Sequence, residues 1–183
     1  MSETEYDVIV AGYGPVGETC ANLLGYYGIK ALILDKEKNT YPLPRAITWD
    51  AECQRAMSHC EFLSEVKTRK IRGVDNKDAN KKSIMKITME GFDTYNYQHR
   101  ILFIHQPQFD EAHRENAKKY PTNTIKTGSE LLAVDEVNGI INCTYKNVDT
   151  DEKFTVKSKY LLACDGANST VRKLNGIKLN SLD

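Results

Sequence analysis

Two short apolar runs near the N-terminus enclose a segment with helical spacing. Residues 6–11 and 29–34 are rich in aliphatic and β-branched side chains, which is typical of strands buried on both faces. Between them, apolar positions over residues 18–27 recur at helical spacing, and Gly28 marks the end of that helix. A strand, a helix and a second strand in this order predict a parallel βαβ unit with a right-handed crossover.

The middle of the chain alternates between loop, helix and strand patterns. Residues 39–46 contain two prolines and are predicted to be an extended loop, because proline and the residue before it disfavour helix. Helical spacing returns over residues 49–66, whereas residues 67–82 are hydrophilic and are predicted to be a surface connection. Residues 84–90 and 101–105 are predicted strands. Pro107 then stands in the first turn of a helix predicted to run to Lys119.

The C-terminal part is dominated by strand patterns with turn signals between them. Three strands are predicted to form an antiparallel meander, over residues 131–137, 140–147 and 154–157. Asn138 and Gly139 are typical of a tight hairpin turn between the first two. Residues 160–164 are a further apolar run, predicted to be a separate buried strand, and residues 169–174 are predicted to form a short helix.

Composition and charge exclude several classes of function. The 183 residues contain 25 basic and 25 acidic side chains, so the chain has no net charge with which to attract nucleic acid. No apolar run approaches the roughly 20 residues needed to span a bilayer, and the polar, acidic start is unlike a secretory signal. The five cysteines include no CxxC pair, and the histidines lack ligand spacing, so neither a disulfide framework nor a metal site is predicted. We expect a cytoplasmic protein.

The chemistry that the sequence predicts begins at the turn GYGPVG, residues 12–17. Gly12 permits a tight turn, Gly14 lets the backbone approach a diphosphate, and Gly17 lets the helix pack closely on the sheet. The first turn of that helix offers free N–H groups and the positive end of its dipole to an anion. The sequence therefore predicts a dinucleotide site, although glycines alone can also serve a turn without any ligand.

Asp35 ends the second predicted strand, where a dinucleotide would place its adenosine ribose. A carboxylate there can accept hydrogen bonds from both ribose hydroxyls and repels a 2′-phosphate, which favours FAD or NAD over NADP. FAD is preferred to NAD because the chain does not repeat the βαβ pattern after residue 35 but enters a long excursion and a meander. A second acid, Asp165, follows the last apolar run and suits a ligand that extends past the first turn.

Four stretches in the same order resemble the FAD-dependent aromatic hydroxylases, the class A flavoprotein monooxygenases. They are YDVIVAGYGPVGETCANLLGYYGIKALILDKE, YPLPRAITWDAE, IHQPQFDEAHRE and YLLACDGANSTVRK. The resemblance is strongest to the 3-(3-hydroxyphenyl)propionate hydroxylase-like branch. It implies an α/β fold: a Rossmann-like FAD-binding βαβ unit, an antiparallel meander and an incomplete substrate-domain sheet. Residues 1–183 would be the FAD-binding domain, with residues 70–105 as part of the incomplete substrate-binding sheet.

The resemblance also implies FAD-binding roles for individual residues. Gly12, Gly14 and Gly17, with Pro15 and Val16 between them, would hold the diphosphate. Asp35 would hold the adenosine ribose with Lys36 beside it, and Leu131 would lie near the adenine.

Four more residues fall in matched motifs. Arg45 would contact the FAD phosphates, Gln106 the ribityl chain, and Asp165 with Gly166 would form the motif implicated in FAD and nicotinamide binding. Their alternative explanations are an exposed surface arginine, a glutamine that caps a helix, and an Asp-Gly turn.

The activity implied is hydroxylation of a small phenolic or aromatic substrate with O₂, with NAD(P)H as the reductant. Two alternatives stay open: another FAD-dependent dehydrogenase or reductase, and a truncated nucleotide-binding remnant without turnover. No catalytic side chain is predicted. Nothing after Gly166 resembles the family's Gly-Asp motif, so we expect a fragment, a truncated gene product or a domain that needs a partner chain, with little activity alone. Unpaired sheet edges predict self-association.

Overall fold

The computed structural model describes residues 5–60, 66–88, 94–95, 98–99 and 101–180. It divides into two compact units. The first unit is Met1–Thr40 with His113–Asp183, and the second unit is Tyr41–Ala112. None of the helices among the described residues has the length and the apolar character that a membrane span requires.

The described residues form thirteen strands and four α-helices. The strands are β1 (Tyr6–Ala11), β2 (Ala31–Asp35), β3 (Thr48–Asp50), β4 (Arg69–Lys70), β5 (Gly73–Lys77), β6 (Ser83–Thr88), β7 (Thr94–Tyr95), β8 (Gln98–His99), β9 (Ile101–Phe103), β10 (Asn123–Thr127), β11 (Ser129–Val137), β12 (Ile140–Asn147) and β13 (Lys153–Ala163). The helices are α1 (Pro15–Tyr26), α2 (Ala51–Met57), α3 (Gln106–Lys118) and α4 (Thr170–Leu174). A single 3₁₀ turn, Ser58–Cys60, follows α2.

The first unit is built on a six-stranded sheet with the order β10-β2-β1-β13-β12-β11. β1 pairs in parallel with β2 on one side and with β13 on the other, and β11 and β12 complete an antiparallel meander. The sheet is buried on both faces near β1: Ile9 belongs to one apolar cluster and Val10 to another. Burial on both faces explains why β1 and β2 are continuous apolar runs. The predicted α/β fold with a βαβ unit and a meander is confirmed.

The prediction of a separate strand over residues 160–164 is wrong. Residues 154–157 and 160–163 belong to one strand, β13, which pairs antiparallel with β12 and then in parallel with β1. Ser158 lies at the change, opposite both Tyr6 and Ile141. The prediction that this run is buried is also wrong, because alternate side chains face opposite sides of the sheet and Tyr160 is 65% exposed.

A parallel strand that the sequence reading missed changes the argument for FAD over NAD. β10 follows α3 and pairs in parallel with β2, so the βαβ pattern does repeat after a long intervening segment. The strand has the polar sequence NTIKT, which lacks the apolar run expected of a buried strand. The expectation that the βαβ pattern does not repeat after residue 35 is therefore wrong. This feature of the chain does not distinguish FAD from NAD.

The described residues of the second unit form short strands, α2, the 3₁₀ turn and the beginning of α3. β9 pairs with β3 and β4, and β5 pairs with β6. The helix predicted over residues 49–66 is shorter: Trp49 lies in β3, α2 ends at Met57, and residues 61–65 lie outside the described part. Residues 67–82 are not a simple connection, because β4 and the exposed strand β5 form by main-chain pairing despite their polar sequence. The assignment of residues 70–105 to a substrate-domain sheet stays a prediction.

The fold predicts a large cost for truncating the centre of β2. Ile33 is fully buried in the cluster that packs beneath α1, so Ile33→Ala should lower the free energy of unfolding by about 2–5 kcal/mol. Urea unfolding followed by circular dichroism measures this change. Ile177→Ala is the matched control, since that isoleucine is 60% exposed and its truncation should cost little. Equal losses for the two variants would contradict the burial described.

Candidate functional site

The turn between β1 and α1 has no room for side chains at two of its glycines. Gly12 has a φ of +97°, and a Cβ there would lie 2.4 Å from the carbonyl oxygen of Cys164. A Cβ on Gly17 would lie 1.9 Å from the carbonyl oxygen of Gly12. Both distances are far below van der Waals contact. The helix can therefore start directly against the strand ends only with glycine at both positions.

Gly14 differs from these two glycines because it faces open space. It is the N-cap of α1, in an extended conformation, and a Cβ there would meet no atom within 4 Å. Packing within the protein thus does not require glycine here, whereas a ligand close to the backbone would. Pro15 follows at the first helical position, and Val16 is 64% exposed. The first-turn N–H groups of a helix lack intrahelical partners, so this end can donate to an anion.

The Asp35 carboxylate at the end of β2 faces the glycine turn. Its Oδ2 accepts a hydrogen bond of 2.9 Å from the Tyr13 N–H, and its Oδ1 accepts one of 2.9 Å from the Glu37 N–H. The side chain is 13% exposed. Lys36 beside it is exposed, with its Nζ 3.9 Å from a Glu37 carboxylate oxygen. The structure therefore brings Asp35 to the turn and leaves Lys36 in solvent.

A buried ion pair that the sequence reading missed lies behind the same turn. Arg114 Nε donates to Glu18 Oε1 at 2.7 Å, and these side chains are 11% and 0% exposed. Arg114 Nη2 donates to the Tyr13 carbonyl and lies 3.7 Å from Asp35 Oδ2. One guanidinium thus contacts the glycine turn and both nearby carboxylates. Glu18 and Arg114 are 96 positions apart, and no local spacing relates them.

Tyr13 and Asn22 are two further buried side chains beside this ion pair. The Tyr13 ring is 1% exposed, with the guanidinium carbon of Arg114 at 4.7 Å from its centroid. Burial, and then the negative charge of Glu18, raise the pKa of the Tyr13 hydroxyl, so it stays neutral. Asn22 Nδ2 donates to the carbonyls of Glu18 and His113, at 2.8 and 3.0 Å. These contacts join α1 to residues 113–116 of the first unit.

The Asp165-Gly166 pair lies directly beside the glycine turn. A Cβ on Gly12 would lie 2.8 Å from the Asp165 Cα. Asp165 Oδ2 accepts from the N–H groups of Thr170 and Val171, at 2.6 and 3.1 Å, and so caps α4. Its Oδ1 is buried and has no hydrogen-bond partner among the described residues. Gly166 has a φ of +77°, as the turn explanation requires. The cap accounts for one oxygen and leaves the other without a hydrogen-bond partner among the described residues.

Leu131 lies on β11, an edge strand of the sheet, with its side chain in the apolar core. Its side chain is 9% exposed and belongs to an apolar cluster with Cys143 and Tyr145. A role near the adenine stays a prediction.

Arg45 and Gln106 come together within the second unit. Gln106 is buried, and its Oε1 accepts from the N–H groups of Arg45 and Ala46 at 2.6 and 2.7 Å. The Arg45 side chain is exposed, with its guanidinium carbon 3.9 Å from the centroid of the Tyr41 ring. Gln106 thus holds the loop that carries Arg45. Their roles toward FAD stay predictions.

A βαβ unit with a glycine facing open space at the helix start and a carboxylate at the end of the second strand is the arrangement typical of dinucleotide-binding proteins. The family described as "FAD binding domain" matches residues 5–183. The chain therefore belongs to the FAD-binding domain family, and the predicted resemblance is confirmed.

Curated relatives are bacterial hydroxylases. A 3-(3-hydroxy-phenyl)propionate/3-hydroxycinnamic acid hydroxylase of Comamonas testosteroni is 30% identical over 175 residues, which are 94% of this chain and 29% of that protein. The protein of the same name from Escherichia coli O139:H28 is 32% identical over 171 residues, 91% of this chain and 30% of that protein. The chain thus spans about 30% of the length of these relatives.

Solved structures share the fold. The p-nitrophenol 4-monooxygenase PnpA of Pseudomonas putida DLL-E4 has a TM-score of 0.84 and 24% identity, over 95% of this chain and 44% of that one. The flavin-dependent monooxygenase PieE, solved with FAD and substrate, has a TM-score of 0.79 and 18% identity, over 96% and 32% of the two chains.

The turn geometry predicts that an alanine side chain is not tolerated at Gly17 but is tolerated at Gly14. Gly17→Ala should lower the free energy of unfolding, because the clash with the Gly12 carbonyl, typically about 1–3 kcal/mol for overpacking, outweighs the gain in helix propensity of about 1 kcal/mol. Gly14→Ala should cost no more than about 1 kcal/mol, the usual effect of alanine at an N-cap. Chemical denaturation measures both. A Gly17→Ala protein as stable as wild type would contradict this geometry.

The buried pair predicts a large effect of removing Arg114. Arg114→Met leaves the buried Glu18 carboxylate without this cation and should cost about 3–5 kcal/mol of unfolding free energy. The double variant Glu18→Gln with Arg114→Met should recover part of that loss. Lys118→Met is the control on the same helix, since its pair with Glu115 is exposed and worth at most about 1 kcal/mol. Similar losses for the two single variants, again in denaturant titrations, would show that Glu18 does not need Arg114.

Proposed function

We propose that this chain supplies the FAD-binding part of a monooxygenase that uses NAD(P)H and O₂ to hydroxylate a small phenolic substrate. The single observation that carries the proposal is the match to the FAD-binding domain family along almost the whole chain. The substrate class follows the names of the relatives, which are hydroxylases of 3-(3-hydroxyphenyl)propionate and 3-hydroxycinnamic acid. A cytoplasmic location belongs to the same proposal and is supported by the five free thiols.

The residues of the first unit fit the diphosphate and ribose of FAD. A diphosphate over Gly14 would meet no side chain and would lie at the positive end of α1. Each Asp35 oxygen accepts one main-chain N–H, and a carboxylate oxygen has a second lone pair with which to accept a ribose hydroxyl. The Oδ1 of Asp165 would be a further acceptor beside the turn if the side chain moved on binding, because this atom is buried in the structure.

Arg114 makes this arrangement compatible with an anionic ligand. Glu18 and Asp35 both carry negative charge close to the start of α1, where it would repel a diphosphate. The guanidinium pairs with Glu18 at 2.7 Å and lies 3.7 Å from Asp35, so it compensates both charges. It also fixes the Tyr13 carbonyl and with it the backbone that precedes Gly14.

When bound, FAD supplies the hydride and oxygen chemistry, and the protein supplies binding, orientation and shielding from water. Residues of the first unit would bind and orient the adenosine diphosphate half. In the second unit, Gln106 holds the main chain at Arg45, whose exposed guanidinium is suited to contact a phosphate. The interpretation of Arg45 and Gln106 as FAD contacts is part of the proposal.

FAD affinity tests the binding part of the proposal. Asp35→Asn should weaken FAD binding roughly tenfold to a hundredfold, because hydrogen bonds to a charged group are worth about 1.5–3 kcal/mol and the amide offers one acceptor oxygen instead of two. Asp149→Asn is the matched control, since that carboxylate is exposed and pairs with Lys38. Quenching of flavin fluorescence gives the dissociation constants. Wild-type protein that fails to bind excess FAD, or equal affinities for the two variants, would contradict the proposal.

The reaction is tested separately with FAD-loaded protein. The proposal predicts O₂-dependent NAD(P)H oxidation that a 3-hydroxyphenyl carboxylic acid stimulates, together with a hydroxylated product. The rate should be low, because the chain spans about 30% of the length of its hydroxylase relatives. Oxidation of NAD(P)H without hydroxylation would point to another FAD-dependent oxidoreductase. If the chain binds FAD but oxidises no NAD(P)H, it is a nucleotide-binding module, and the assignment of monooxygenase activity to this chain is overturned.

A further inference from the structure

Two free cysteines approach each other beneath the glycine turn. Cys20 lies on α1 one turn after Gly17, and Cys164 is the first residue after β13, directly before Asp165. Their Sγ atoms are 3.9 Å apart, and both side chains are half-buried. The two thiols therefore connect the helix that begins at the glycine turn with the strand end that leads into the Asp-Gly pair.

The approach follows from the close packing at the turn. Because Gly17 has no side chain, α1 comes so near to β13 that a Cβ on Gly17 would lie 3.5 Å from the Cys164 Cβ. A disulfide has an S–S length of about 2.0 Å, so closure requires the sulfurs to approach by about 2 Å. We expect rotation of the two side chains, with a small shift of the helix start, to supply this movement.

The two thiols differ in reactivity from the other cysteines. The hydrogen bond between the sulfurs lowers the pKa of Cys20 to about 7 and raises that of Cys164. Burial raises the pKa of Cys143 to about 11, and that of Cys53 is raised as well. Since the thiolate is the nucleophile, Cys20 is the thiol among these four that is poised to react at neutral pH.

We propose that Cys20 and Cys164 form a reversible disulfide with a hydroperoxide as oxidant. The Cys20 thiolate attacks one peroxide oxygen and breaks the O–O bond, which gives a sulfenic acid and releases hydroxide. The Cys164 sulfur then attacks the Cys20 sulfur, and the sulfenic oxygen leaves with the thiol proton as water. In the balanced step with hydrogen peroxide, two thiols and one peroxide give one disulfide and two waters.

The disulfide changes the dinucleotide site, an effect that rests on the proposed function. The Cys164 carbonyl already lies against Gly12 with no room for a Cβ, so a shift of α1 toward Cys164 displaces the glycine turn relative to Asp165. The oxidised protein should therefore bind FAD several-fold more weakly, and reduction with dithiothreitol should restore the affinity.

Peptide mapping tests the disulfide without reference to FAD. Protein treated with hydrogen peroxide, alkylated and digested should give a cross-linked pair of the Cys20 and Cys164 peptides in monomeric protein, and dithiothreitol should remove it. Cys20→Ser and Cys164→Ser should each abolish the pair, and Cys53→Ser should keep it. Circular dichroism confirms that the variants fold. Oxidation of Cys20 to a sulfinic acid without the cross-link, or a link between chains, would overturn the proposal.

FAD titrations of reduced and oxidised protein test the effect on the site. The effect is supported if oxidation weakens FAD binding by the wild type and by Cys53→Ser but not by Cys20→Ser. If the disulfide forms but the FAD affinity does not change on oxidation, the proposed effect on FAD binding is overturned, while the disulfide itself is supported. If reduced wild-type protein fails to bind FAD, the proposed function fails, while the mapping result stands by itself.

Discussion

The start of α1 lies against the carbonyl of Gly12 only because Gly17 has no side chain, and the arrangement of the first unit depends on this contact. It places the Tyr13 N–H on the Asp35 carboxylate, so the end of β2 is joined to the turn by a hydrogen bond. It also brings Cys20 on α1 within reach of Cys164. The open backbone at Gly14, the position of the Asp35 carboxylate and the approach of the two thiols follow from one close contact between a helix and a sheet.

Charge is the second constraint on this turn. A helix start that binds a diphosphate gains from positive potential, yet two carboxylates lie beside it. Arg114 compensates for the charges of these carboxylates. Its side chain is nearly buried and also donates a hydrogen bond to the Tyr13 carbonyl. In the proposed function, the buried pair would assist binding by fixing the backbone and balancing the charge. Its contribution to stability comes mainly from the cost of leaving Glu18 without this cation.

Local patterns were sufficient to predict the βαβ unit, the meander and the position of Asp35. Apolar runs and a glycine turn of fixed spacing are local signals, and their meaning does not depend on distant residues. The rest depends on long-range contacts. β10 is polar in sequence and is recognised as a strand only by its pairing with β2, and β13 is continuous because two different partners share it. Arg114 stood in a matched stretch, but its partner Glu18 is on another helix, so no spacing revealed the pair.

Amide chemical shifts of isotope-labelled protein during an FAD titration test the central claim most directly. The account predicts that the largest perturbations fall on the N–H groups of Val16 and Gly17, at the start of α1, with a second group around Asp35. These groups would be the donors to the diphosphate and the surroundings of the ribose. Saturable FAD binding that leaves the Val16 and Gly17 resonances unchanged would contradict the account.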